Sequence, residues 1–245
     1  MRALVDELPE KGPFILEGEE ARHLLKVKRI RPSEKVELLD GQGGRCQCDI
    51  ERLGKRQIEL SIHSVSREKE PARLGLALAI PCQHTTLSAL LPSLVQLGVT
   101  DMVLCETERS GQIKRVEKQI HRLHTILRQA LKQCGRSWAP RLNLQRLDHL
   151  LEEKASLPYG DWLLYHPRGM SWYELSEKLR YPVMNLIGPE GGFSVLETTK
   201  MEKKGIHKVG LGSAILKMET AAIGTCFRIS QQMLEVGIRG IVNSC

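Results

Sequence analysis

Residues Val183–Ser194 read VMNLIGPEGGFS, and this stretch decides the fold class. Val183–Gly188 is an apolar run of strand length with little alternation, as expected for a strand buried on both faces of a parallel sheet. It runs straight into a loop holding Gly188, Pro189, Gly191 and Gly192, followed by Ser194 and Glu197. Glycines admit positive φ and let a ligand approach backbone N–H and C=O groups, while the proline stiffens the entry. In an open α/β sheet, a loop beyond the carboxyl end of a strand is where ligands bind. The alternative is an ordinary tight turn, which needs fewer glycines than this. The loop is neither a dinucleotide fingerprint, because GxGxxG is absent, nor a phosphate-binding Walker loop, because no GK[ST] follows.

About twenty residues on, Val209–Ala222 reads VGLGSAILKMETAA, a second passage from a short strand through a Gly-Ser loop into a helix. Leu211, Ile215 and Leu216 are either an apolar slot for a flat ring or plain core. Outward from these segments, strand and helix alternate. LGLALAIP (Leu74–Pro81), MVLCETE (Met102–Glu108), WLLYH (Trp162–His166) and KVGLG (Lys208–Gly212) read as buried strands. Helices are predicted from LSALLPSLVQLGVTD, from Gln112–Gln133 and from the stretch beginning Met218-Glu219-Thr220. The whole is an α/β arrangement on a mostly parallel sheet. Residues 1–70 read differently. KVELLD (Lys35–Asp40), RCQCDIERL (Arg45–Leu53) and RQIELSIHSV (Arg56–Val65) are strand-like, GQGG is turn material, and EEARHLLKVKRI is one helical piece. SREKEPA (66–72) serves as a linker, which gives a β-rich domain over 1–70 and an α/β domain over 73–245.

Charge is unevenly placed. Residues 1–70 carry 14 basic and 14 acidic side chains, 71–150 carry 11 and 5, and 151–245 carry 11 and 10. The excess of +7 therefore lies mostly in the middle of the chain, as on a surface that faces a polyanion. Lys114, Lys118 and Arg122 recur along the polar side of the Gln112–Gln133 helix, and Lys26, Arg29 and Arg31 cluster in the neutral first domain. Both sets are candidate RNA contacts. Aromatic residues make up only 4% of the chain, too few for a surface built to stack single-stranded bases. The opening MRALVDELPEKG has no apolar core, so no signal peptide is expected. No run is long enough to span a membrane. Seven cysteines without a CxxC pair read as reduced, cytoplasmic thiols, and Cys46 and Cys48, sharing one strand face, lack the partners of a metal site.

LIGPEGGFS followed by LGSAILKMETAA resembles the cofactor-binding signature of the SPOUT methyltransferases that modify uridine N3 in 16S ribosomal RNA. HLLKVKRIRPSEKVELLDGQGG, LGVTDMVLCETERS and QALKQCGRSWAP match in order, so the resemblance spans most of the chain. It implies an N-terminal PUA-like β-barrel for RNA and a C-terminal SPOUT α/β domain with a deep trefoil knot. It further implies a homodimer, the small ribosomal subunit as partner, and S-adenosylmethionine as cofactor, with no metal and no membrane. The cofactor would lie against Leu164 and His166, the loop Ile187, Gly188, Pro189, Glu190, Gly191 and Gly192, and then Val209, Leu211, Gly212, Ile215, Leu216 and Thr220.

For the chemistry, a protein must align N3 with the methyl group and manage the N3 proton. Arg109 in TERS and Arg136 in QCGR are candidates for stabilising charge on the uracil carbonyls or positioning phosphate, the alternative being surface arginines. Glu190 is a candidate base, or else the cap of the following helix. The chain departs from the family pattern at Gln83, Ser93, Gln96, Gln129 and Lys217, where charge is lost or an arginine becomes lysine. These departures bear on substrate placement. They leave two other readings open, a non-catalytic RNA-binding assembly paralogue and a ribose 2′-O-methyltransferase of the same superfamily.

Overall fold

A computed structural model describes residues 1–238 and places them in two compact units, each with its own core. The first unit comprises Met1–Glu70 together with Arg128–Ala139. Its five strands are β1 (Arg2–Leu4), β2 (Pro13–Leu16), β3 (Lys35–Leu39), β4 (Gly44–Leu53) and β5 (Ile58–Arg67), in the order β1-β3-β4-β5-β2. β1 runs parallel to β3 and the other pairs are antiparallel. Alternation on β4 puts Cys46, Cys48 and Ile50 inward beside Val36, Leu38, Ile58 and Leu60, and that layer is the core. Cys46 and Cys48 share one face as the spacing predicted, with their sulfurs 3.4 Å apart.

Between β2 and β3 the helical piece is a short α1 (Gly18–Arg22) continuing into a π-helical turn, His23–Lys28. Arg29 closes it in the left-handed region at φ 52°, a conformation uncommon outside glycine. The loop between β3 and β4 receives 137–139. Gly43 N–H donates to Ser137 O at 2.9 Å and Ala139 N–H to Gly41 O at 2.8 Å. Arg45 joins the pieces, donating to Glu68 at 2.6 Å, Glu37 at 2.8 Å and the Gly135 carbonyl at 2.6 Å. Residues 133–139, QCGRSWA, are thus part of this unit, a placement their position in sequence does not reveal.

The second unit takes Pro71–Leu127 and the described residues from Pro140 on. Its sheet holds β6 (Leu74–Ala79), β7 (Asp101–Glu106), β8 (Arg141–Arg146), β9 (Asp161–Met170), β10 (Val183–Ile187) and β11 (His207–Val209). All are parallel, in the order β11-β9-β10-β6-β7-β8. β6 and β10 are buried at every position, which is why they read as unbroken apolar runs. β8 was not expected from the pattern, because at this sheet edge RLNLQR is mostly polar and half-exposed. Helices α2 (His84–Gln96), α3 (Ile113–Glu117), α4 (Ile120–Cys134), α5 (Leu147–Glu152), α6 (Trp172–Ser176) and α7 (Val195–Lys203) lie between the strands in sequence, and α8 (Met218–Glu235) follows β11.

The single helix expected over Gln112–Gln133 is in fact α3 and α4, broken at Lys118-Gln119. Gln119 N–H closes a tight turn on Val116 O at 2.8 Å instead of continuing the helix. Lys114, Lys118 and Arg122 are all exposed, the first on α3, the second in the break and the third on α4.

Candidate functional site

Because the sheet is parallel, the loops after β6, β7, β9, β10 and β11 all leave from its carboxyl edge. The chain steps outward from β6 through β7 to β8, then crosses to β9, so strand order reverses at the β10/β6 junction. Open α/β sheets bind ligands at such a junction. The glycine loop Gly188–Ser194 emerges there.

Three neighbours hold that loop. Arg109, from the turn after β7, donates through Nη1 to the Gly191 carbonyl at 3.1 Å. Cys82 N–H, from the turn after β6, donates to Glu190 Oε1 at 3.3 Å. Glu197, on the first turn of α7, accepts from Ser194 N–H at 2.8 Å and from Glu108 N–H at 2.8 Å. Ser194 Oγ in turn accepts from Glu197 N–H, which completes a capping box at the start of α7. The helix cap is therefore Ser194 with Glu197, not Glu190. Ser-x-x-Glu before a helix was legible in sequence, but its second bond, to Glu108, was not. Inside the loop, Gly192 has φ +67°, and its N–H closes a turn on Pro189 O at 2.8 Å. A Cβ at Gly192 would meet nothing within 4 Å, so the loop presents backbone to open space.

The second loop, Gly210–Lys217, follows β11 and is built otherwise. Gly210 N–H donates to Met170 O at 2.9 Å, and beyond that point the loop is mostly exposed. Ile215 is 87% exposed and Leu216 38%, whereas Leu211 is half-buried. The reading of these three as plain core is excluded for Ile215 and Leu216. Among the described residues Lys217 gives α8 no side-chain cap, and Thr220 is exposed on its first turn. β9 approaches this loop closely, for a Cβ on Gly169 would lie 2.2 Å from the Val209 carbonyl carbon.

Leu164, Ile187 and Val209 are buried in the sheet, so they can offer a ligand only backbone groups. His166 is half-exposed and its Nδ1 accepts from Arg168 N–H at 3.0 Å. Partial burial first, and then the positive charges of Lys208 and Arg168, hold its imidazole below the usual 6.5. The neutral ring then carries its proton on Nε2, which makes it a donor there and not a base. Glu190 and Arg109 are exposed beside the loop. Arg136 lies in the first unit, just after α4, and burial pulls its guanidinium below the usual arginine range. Lys26, Arg29 and Arg31 are exposed around the π-helical turn of that same unit. The departures Gln83, Gln96, Gln129 and Lys217 are exposed and Ser93 is half-buried, so the changes lie largely at the surface. Among the described residues no His/Cys/Asp/Glu group could hold a metal, and no helix is long and apolar enough to cross a membrane.

Residues 68–230 match the family model of the RNA methyltransferase domain, and residues 16–62 that of the RNA methyltransferase PUA domain. A Mycobacterium bovis protein named ribosomal RNA small subunit methyltransferase E is 26% identical over 232 residues, covering 89% of this chain and 86% of its own. A Borreliella burgdorferi protein named ribosomal RNA small subunit methyltransferase E 2 is 24% identical, covering 90% and 92%. A Legionella pneumophila structure, described as a methyltransferase with the cofactor SAM bound, superposes with TM-score 0.79 at 28% identity, covering 96% and 97%. A Neisseria gonorrhoeae ribosomal RNA small subunit methyltransferase E bound to S-adenosyl methionine gives TM-score 0.81 at 24% identity, covering 94% and 96%, and shows the shared fold.

Proposed function

The chain belongs to the RNA methyltransferase family, and from that premise we propose that it methylates N3 of a uridine in 16S ribosomal RNA of the small subunit, with S-adenosylmethionine as donor. The observation that carries the reading is the preformed glycine loop at the strand-order reversal, with Arg109 fixed beside it. This region fits the cofactor. Gly192 faces open space and Gly191 meets only Arg109 carbons at 3.7 and 3.9 Å, and exposed Ile215 and Leu216 supply apolar surface for an adenine ring. When bound, S-adenosylmethionine supplies the activated methyl group.

The protein's part is binding and electrostatics. Gly188, Pro189, Glu190, Gly191 and Gly192 with Leu211, Gly212, Ile215 and Leu216 hold the donor, assisted by backbone at Leu164, Ile187 and Val209 and by Thr220. His166 offers a fixed N–H donor. Arg109, with guanidinium N–H groups beyond the one spent on Gly191, stabilises negative charge developing on a uracil carbonyl as the N3 proton leaves. Glu190, whose Oε1 accepts from Cys82 N–H, is the carboxylate that would take that proton. Arg136 contacts RNA phosphate.

RNA placement falls to a 1–70 barrel through Lys26, Arg29 and Arg31, and to Lys114, Lys118 and Arg122 in the 73–245 catalytic domain. That domain would carry the deep trefoil knot that the resemblance implies. The active form is a homodimer working in the cytoplasm. Supporting the dimer, α8 leaves Phe227 54% exposed and Ile223 38%, an apolar face that water does not favour.

The test is methyl transfer from labelled cofactor to small subunits that lack the mark, with nucleoside mass spectrometry of the product. Labelled N3-methyluridine is expected. A ribose-methylated product would replace the reaction with 2′-hydroxyl chemistry. No product from protein that binds cofactor would leave an assembly role.

A further inference from the structure

Glu197 is a buried carboxylate, 8% exposed, with both oxygens engaged. One oxygen serves the helix it caps. The other accepts from the backbone of Glu108, which belongs to a different loop 89 residues away. A cap alone needs only the Ser194 bond. The extra bond fixes the residue immediately before Arg109, and Arg109 reaches back to the Gly191 carbonyl. The turn is braced from its own side as well, since Thr107 N–H donates to Ser110 Oγ at 2.8 Å and Glu106 accepts from Ile113 N–H at 2.7 Å. The path Ser194–Glu197–Glu108–Arg109–Gly191 therefore closes a ring that begins and ends in the glycine loop.

We infer that Glu197 is a positioning residue that sets Arg109 over the glycine loop, so that the arginine's remaining N–H groups face the base to be methylated. The inference rests on the proposed methyl-transfer site. An arginine has long rotamer freedom, and holding its backbone on one side and its guanidinium on the other removes most of it before substrate arrives. Bonds to an ionised carboxylate in a buried place are the stronger kind, which suits a support that must not yield.

The test uses the full-length protein in four forms: unchanged, R109A, E197Q and the double variant. Glutamine preserves size and can still complete a capping box, but its amide nitrogen cannot accept, so one of the two N–H bonds is lost. Unchanged thermal melting of E197Q within a few degrees checks that α7 persists. In kcat/KM for RNA, R109A is expected to cost about a hundredfold and E197Q about tenfold. If Glu197 acts through Arg109, the double variant is no worse than R109A alone. A double variant about a thousandfold down, the product of the two losses, would mean independent roles and overturn the inference.

The cycle is scored on whatever labelled nucleoside the unchanged protein makes, so a product other than N3-methyluridine defeats the proposed reaction without touching this result. If no methyl group is transferred at all, the same four forms are compared in S-adenosylmethionine Kd by calorimetry. Non-additivity there supports the ring, and additivity overturns it.

Discussion

The two loops that flank the site differ in how they are held. Gly188–Ser194 is tied to the turns after β6 and β7, capped into α7, and closed on itself by the Gly192–Pro189 turn. Gly210–Lys217 is held at its first residue by Met170 and then runs over the surface with Ile215 almost fully exposed. The difference teaches that, at the proposed site, one half is built on folding, while the other would gain most of its contacts when the ligand arrives. A preformed half costs little to bind, whereas an exposed loop pays conformational entropy at that moment.

The strongest way to break this comparison is Gly191→Arg. A Cβ there would meet only Arg109 carbons at 3.7 and 3.9 Å, ordinary contacts, so the fold is expected to survive with its melting temperature nearly unchanged. Cofactor binding is expected to vanish in calorimetry, because the long side chain fills the space before the loop. Retained affinity would remove this loop from the site.

Next in size is Gly169→Ala. Its Cβ would lie 2.2 Å from the Val209 carbonyl carbon, and backbone cannot step aside as a flexible side chain does. A loss of about 2–4 kcal/mol in chemical denaturation is expected, in the range of other severe steric changes. The exposed loop should suffer before the clamped one, which hydrogen exchange resolved by segment can show.

Exchange also gives a milder test without mutation. S-adenosylmethionine should slow exchange in 211–217 far more than in 188–194, since the latter is already bonded. Equal protection of both loops would dissolve the distinction between them.

The smallest effect is on acid stability. Burial raises the affinity of Asp161 for its proton, but bonds from Arg180 and the nearby His207 more than offset this and hold the carboxyl below its ordinary 3.8. Because the folded value is depressed, the group's contribution is complete above about pH 4 and is lost as pH falls through the lower folded value. Asp161 begins β9, and His207 opens β11, whose far end carries the exposed loop. D161N should therefore be less stable than the unchanged protein at neutral pH, and the gap should close toward pH 2 in denaturation curves.

How much of this was legible in sequence follows from what each feature depends on. β6 and β10 were plain, since burial on both faces writes itself as uninterrupted apolar residues. β8 was hidden because an edge strand is half-wet and reads as polar. The break at Lys118-Gln119 was hidden because α3 and α4 keep their apolar residues in nearly the same phase across the turn. The Ser194-x-x-Glu197 capping signal, a local matter of three residues, was open to sequence but passed over for Glu190, whereas Glu108 at the other end of Glu197 depends on a strand pairing no local pattern encodes. Glu190 illustrates the same limit from the other side: its sequence neighbours suggested a cap, and its spatial neighbour Cys82 gives it a different anchor.

The sequence by itself determined the class of the fold, the place of the glycine loop after a buried strand, and the family, because these rest on periodicity and on short contiguous segments. Only the tertiary structure decided that Arg109 meets Gly191, that Glu197 joins two loops, that Arg128–Ala139 packs with the first unit, and that Gly188–Ser194 is clamped while Gly210–Lys217 is exposed. Those facts are set by which strands lie side by side, and strand order is fixed by the packing of the whole sheet.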